Sequence, residues 1–140
     1  MTLHERLITN EFDATYTIHG RPQPLSRPRF SNGKVYDSQK NQKIEDGWIL
    51  KSQHKGEPFH GKLHLDVTFY FKIPKARSKK LQKQINDYYH FRPDIDNLQK
   101  YVLDAGNGII WLDDALISSV YCRKLYGEEE KTVIKVKELL

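Results

Sequence analysis

The side chains of this sequence best suited to chemistry are four aspartates and a lysine within residues 92–117, RPDIDNLQKYVLDAGNGIIWLDDALI. Asp94 and Asp96 form an Asp-x-Asp pair, and Asp113 and Asp114 a second, adjacent pair. Two or three such carboxylates can hold Mg²⁺ by hard oxygen ligands and still leave positions for water and a phosphate. Ions held in this way activate an attacking water and offset the charge that builds during phosphodiester hydrolysis. Lys100 follows Asp96 at helical i,i+4 spacing, so its ammonium can stand beside the metal and stabilise the leaving group. The plainer reading of Lys100 is an ordinary ion pair with Asp96, worth about 0.3–0.5 kcal/mol. Asp104 extends the same stripe and either orients Lys100 or faces solvent.

Other uses of an Asp-x-Asp pair fit less well. Helix capping accounts for one aspartate and leaves Asp113 and Asp114 unexplained. An EF-hand loop fails because Leu98, Gln99 and Ala105 stand where a ligand, the turn glycine and the closing glutamate belong. Gly106-Asn107-Gly108 lacks the lysine and serine of a Walker loop. The large doubly wound sheet of a nucleotide-sugar transferase has no counterpart here.

The elements that must position these groups are well signalled. Pro93 disfavours helical geometry at Arg92, so a helix begins after it, with Asp94 or Asp96 as N-cap. Leu98, Tyr101, Val102 and Ala105 form its apolar stripe, and Gly106-Asn107-Gly108 stops it. Residues 109–112 read as a buried strand or extended segment that ends in Asp113 and Asp114. The expected result is one metal cup between a helix start and a strand end.

A chain of 140 residues is expected to form one domain, with residues 1–11 a loose terminus. Its apolar share is 38% and its charged share 29%. No run approaches the roughly 20 apolar residues of a membrane span, and Glu5 in an N-terminus without an apolar core argues against a secretion signal. The single cysteine, Cys122, rules out an internal disulfide and a cysteine-rich zinc site, and points to a reducing cytoplasm. A net charge of +5 favours polyanionic partners, although ordinary surface lysines give the same number. Lys72, Lys75, Arg77, Lys79, Lys80 and Lys83 cluster upstream of the acids, either as a solvated face or as a phosphate contact.

Residues 12–19 alternate as a half-buried strand through Ala14, Tyr16 and Ile18. The proline-punctuated arm 21–30 cannot be helical; its Arg21, Arg27 and Arg29 suit either phosphate contact or a plain surface loop. Asn32-Gly33 predicts a hairpin. A helix from Asp37 or Ser38 to about His54 is expected to face inward with Ile44, Trp48 and Ile49. Residues 62–73 alternate strongly and should be the central strand, and residues 78–89 a short basic helix. Residues 116–125 and 132–136 read as two strands joined in a hairpin. The whole is α+β: a mixed or antiparallel sheet packed by about two to three helices. His64 and His90 read as structural or exposed, Trp48 and Trp111 as core, and Cys122 as a small core residue.

Residues 92–117 closely resemble the central motif of the RusA family of Holliday junction resolvases, small endodeoxyribonucleases common in phages and prophages. The match runs through residues 92–100, Leu103-Asp104-Ala105, Asn107-Gly108 and residues 111–115, and less specifically through residues 20–29 and the overall length. One departure is Gly106, where the family usually carries a large apolar residue; a shorter or more loosely packed helix would follow. The resemblance implies Asp94, Asp96 and Asp114 as metal ligands with Asp113 adjacent, and Lys100 as the essential lysine. It further implies Mg²⁺ or Mn²⁺ dependence, a homodimer in the cytoplasm of a bacterial host, and paired cuts across a four-way DNA junction in recombination and repair. On that reading Arg27, Arg29, Lys75, Arg77, Lys79 and Lys80 line the DNA path, and the Asn32-Gly33 ribbon probes the junction. A non-cleaving branched-DNA-binding module and a flap or fork nuclease are the alternatives.

Overall fold

A computed structural model describes residues 11–74 and 84–139. In chain order the elements are β1 (Ala14–His19), β2 (Arg29–Ser31), β3 (Lys34–Tyr36), α1 (Lys40–Gln53), β4 (Leu63–Lys72), α2 (Ile95–Gly106), β5 (Ile117–Gly127) and β6 (Lys131–Glu138), with a 3-10 turn at Asp114–Leu116 before β5. β1, β6, β4 and β5 form one sheet in that order, and β2 and β3 a separate ribbon. β4 pairs antiparallel with β6 and parallel with β5, so the fold is α+β with a mixed sheet.

β4 lies inside the sheet because its residues can be buried on both faces. Leu63, Leu65, Val67, Phe69 and Phe71 point into the core, and His64 and Thr68 on the opposite face are buried as well. The expected β5–β6 hairpin does not form: β4 stands between the two strands. Gly127 explains how the short link crosses the end of β4. A Cβ there would come within 3.0 Å of the Tyr70 ring and 3.2 Å of the Glu129 carbonyl oxygen, so only glycine lets the chain turn over Tyr70.

α2 buries Leu98, Tyr101, Val102 and Ala105, the stripe read from the sequence. α1 differs from expectation. Its buried residues are Asp46, Gly47 and Leu50, while Ile44 and Ile49 are exposed and Trp48 is 70% exposed. A charged residue can face inward because Asp46 accepts hydrogen bonds from Tyr101 Oη at 2.6 Å and Gln42 Nε2 at 3.2 Å. Gly47 lets α1 approach the segment after α2, where Ile109 Cδ1 would lie 3.0 Å from an added Cβ. At its C-terminal end α1 is tied to the edge strand β1, where Gln53 bonds both the N–H and the C=O of Thr17 at 2.8 Å. Those two bonds occupy backbone groups that an edge strand would otherwise leave open.

The ribbon forms as Asn32-Gly33 predicts, with φ of 51° and 75° at the two turn residues, the left-handed geometry of a tight hairpin. All six of its strand residues are exposed. Residues 109–112 are a turn rather than a strand: Trp111 makes single bridges to Phe59 and Asn107, and Ile110 and Trp111 are fully buried. Most of the basic helix expected over residues 78–89 falls outside the described residues. Its described end is a turn through Asn86, after which Tyr88 bridges Leu125 on the open side of β5.

Candidate functional site

α2 is the axis of the site. Arg92-Pro93 is a cis peptide, and Asp94 follows at the N-cap position with extended backbone. The Asp94 side chain makes no capping hydrogen bond, so its carboxylate is not committed to the helix. Asp96 sits in the first turn, where the helix dipole favours an acid. Both acids are exposed and line an open groove of about 600 Å³ together with Tyr121, Arg123 and Lys124 of β5.

Sequence reasoning missed Lys124. Its ammonium donates to the carbonyls of Phe91 at 2.6 Å and Pro93 at 2.9 Å, pinning the loop that presents Asp94. Burial lowers its pKa, and the nearby Asp94 carboxylate opposes that shift. Nothing in the sequence signals the role, because it depends on β5 running antiparallel to α2.

The second pair of acids lies at the other end of the helix. Asn107, the residue after α2, accepts a hydrogen bond from the Asp114 backbone N–H at 3.0 Å. Asp113 caps the following 3-10 turn by accepting from the Ala115 N–H at 2.9 Å. The hydrogen bond from Asp113 raises the pKa of Asp114, and the negative charges of Asp113 and Asp104 push the same way.

Between the pairs, Asp96, Lys100 and Asp104 rise along one face of α2 in steps of about 6 Å. Lys100 Nζ lies 3.9 Å from Asp96, with both side chains mostly exposed, so the plain i,i+4 ion pair is what forms. Asp104 does not orient Lys100. It pairs instead with Lys43 of α1 at 3.4 Å, and Lys43 also holds Asp37 at 2.9 Å. Among the described residues no three Asp, Glu, His or Cys side chains converge as a metal-ligand set. The single cup expected from the sequence is therefore replaced by two carboxylate stations, one at each end of α2, with Lys100 between them. The physical reason is the helix itself: roughly 16 Å of α2 separates Asp96 from Asn107. The donor chemistry still suits a hard divalent cation, and Asp94 and Asp96 supply two such carboxylates at one groove.

Of the basic residues, Arg27 and Arg29 are exposed, on an arm docked beside the start of α2. The Leu25 N–H bonds the Asn97 carbonyl at 2.9 Å, and Gln39 clamps the arm at Pro24 and Ser26. Lys75, Arg77, Lys79 and Lys80 lie outside the described residues. His64 is buried and bonded to Ser119, and His90 is exposed. Cys122 packs half-buried against the core, which pushes its thiol pKa up to about 11.

Fold and site together define a small α+β fold that carries paired acids at both ends of one helix laid along a mixed sheet. A sequence profile of the family described as Endodeoxyribonuclease RusA matches residues 19–137. The chain is also 33% identical over 135 residues to an uncharacterized protein of Bacillus subtilis (strain 168), YqaN, covering 89% of this chain and 95% of that one. The chain belongs to the RusA family, and its fold is of the nuclease type that family name describes. Among the described residues no helix is long and apolar enough to cross a membrane.

The family departure at Gly106 has a structural account. α2 is not shortened, because it runs through Gly106. The buried Trp111 ring lies against that residue, 2.5 Å from where a Cβ would stand, and fills the space a larger side chain would take.

Proposed function

We propose that the chain is a Mg²⁺-dependent endodeoxyribonuclease, with Mn²⁺ a possible substitute, that resolves four-way DNA junctions by paired cuts during recombination and repair. The observation that carries this reading is the family match over residues 19–137, which includes all four aspartates and Lys100. Asp94 and Asp96, exposed at one groove, would hold the metal, and Asp113 with Asp114 would offer a second pair of carboxylates at the other end of α2. When bound, the ion supplies Lewis-acid activation of water and neutralisation of phosphate charge.

The chain's own groups have separable parts in this scheme. Lys124 fixes the loop before Asp94, and the dipole at the start of α2 favours a phosphate beside Asp96. Lys100 is exposed on a flexible stem, so it can leave Asp96 for a phosphate oxygen or a leaving group. Arg27 and Arg29, with Lys75, Arg77, Lys79 and Lys80, would contact DNA phosphates, which supply affinity without sequence preference. The β2–β3 ribbon would reach toward the branch. A homodimer suits a junction whose opposing strands are related by a two-fold axis. The compartment proposed is the bacterial cytoplasm.

The test is to incubate the protein with a synthetic four-way junction, a fork and a plain duplex, each with Mg²⁺ and with EDTA. Symmetric nicks in the junction that require the metal are expected. Binding without cutting under every metal would leave only a branched-DNA-binding module, and equal cutting of the fork would make it a nuclease of looser preference.

A further inference from the structure

α1 carries a feature that the nuclease reading leaves unused. Lys40, Ile44, Gly47, Trp48 and Lys51 fall at helical spacing on one face and border an open groove of about 460 Å³. Its floor is made of small or flat apolar surface from Gly47, Ala105 and Ile109. Trp48, 70% exposed, lies along the groove. An exposed indole beside an apolar floor is a large surface to leave in water, and it marks a binding site more readily than a packing defect.

The chemistry of the rim selects the occupant. Lys40 and Lys51 border the groove and enter no ion pair among the described residues, so both ammonium groups are available to an anion. Asp37 and Asp104, both paired with Lys43, and Asn107 complete the lining, leaving further acceptor lone pairs and an amide for the edge of a planar polar ring. Asn107 is the residue that holds the Asp114 backbone, so the groove adjoins the acid station at the end of α2. A flat apolar slot with an aromatic wall, lysines and hydrogen-bonding rim groups matches one unstacked nucleotide: ring against Trp48, phosphate against lysine. A second copy of this chain would cover Trp48 without any DNA, an outcome that the titration below separates from nucleotide binding.

We infer that the α1 groove binds an unpaired nucleotide of the DNA substrate by stacking on Trp48, close to the Asp113–Asp114 station. This rests on the nuclease reading and adds to it: the substrate class becomes DNA that exposes an unstacked base, such as the centre of a branch.

Two tryptophans make the test direct, because Trp111 is fully buried and Trp48 dominates any change in exposure. The full chain in EDTA is titrated with oligo-dT, with a four-way junction and with an intact duplex of equal length, and indole emission and binding are both followed. Quenching by oligo-dT and junction, and much less by duplex at equal occupancy, is expected. Trp48→Ala should weaken junction binding about tenfold, with Trp48→Phe restoring most of it, since base stacking needs only an aromatic face. Unchanged melting of Trp48→Ala would show that the loss is not misfolding. Saturation with DNA without quenching, or Trp48→Ala binding as tightly as wild type, would overturn the inference. So would a protein-concentration-dependent blue shift without DNA, which would mean that a second copy covers Trp48. If wild type binds no DNA at all, the nuclease reading itself falls. If it cuts junctions while Trp48 stays unquenched, only the groove assignment does.

Discussion

Placing an alanine at Gly106 should destabilise this protein even though alanine is the better helix former. The added Cβ would lie 2.5 Å from two carbons of the Trp111 ring and 3.1 Å from a third. Ordinary contact needs roughly another 1 Å, since carbon pairs settle at about 3.5–4.0 Å. Trp111 cannot yield cheaply, because it is fully buried between α2 and the core. Overpacking of this kind costs about 1–3 kcal/mol, offset by at most about 1 kcal/mol from replacing a helical glycine. The net loss should be about 1–2 kcal/mol, which for a chain of this size lowers Tm by roughly 3–8 °C. Gly106→Leu should lose more. Thermal unfolding followed by circular dichroism measures both, and a double-mutant cycle with Trp111→Phe should recover part of the loss, because the two sites share one space. Gly106→Ala as stable as wild type or more so would refute the packing argument.

Three further outcomes follow from the same geometry. Tyr101→Phe removes a hydrogen bond to the buried Asp46 carboxylate and should cost about 1–3 kcal/mol in urea unfolding, a loss that Asp46→Asn in the same background should reduce. Lys124→Met keeps the aliphatic stem but frees the Phe91 and Pro93 carbonyls, so junction cleavage should fall about tenfold or more, an effect of about 1.4 kcal/mol on the barrier, with the fold retained. Burial lowers the pKa of His64, so below its unfolded value of 6.5 the unfolded state binds the proton first. Stability from the neutral imidazole is therefore complete above that pH and declines as pH falls toward the folded pKa; His64→Gln should flatten the Tm–pH profile between pH 7.5 and 5.

Much of the fold was legible because its strongest signals are local. The α2 stripe, the proline that sets the helix start, the Asn32-Gly33 turn and the alternation of β4 each depend on neighbours within a few residues. What the sequence hid depends on distant partners. Asp46 faces inward and Trp48 outward because Tyr101, far along the chain, satisfies the carboxylate; amphipathic spacing alone favours the reverse. The missing β5–β6 hairpin reflects competition, since the apolar β4 gains more from two flanking strands than from one. At the site, residue types could be read but not their separation. Asp113 and Asp114 follow a turn that returns to Asn107 rather than a strand that runs back to Asp94, so the acids divide between the two ends of α2.

Whether those acids act on DNA through a metal is most directly tested by measuring binding and cutting separately in wild type, Asp96→Asn and Asp114→Asn, on one four-way junction with Mg²⁺ at matched protein concentration. Both variants should bind the junction at least as tightly as wild type, since each removes a charge that repels phosphate, and both should lose cleavage by at least about a hundredfold, an effect of about 2.7 kcal/mol or more. A variant of either acid that cuts at the wild-type rate would contradict the assignment of hydrolysis to this site.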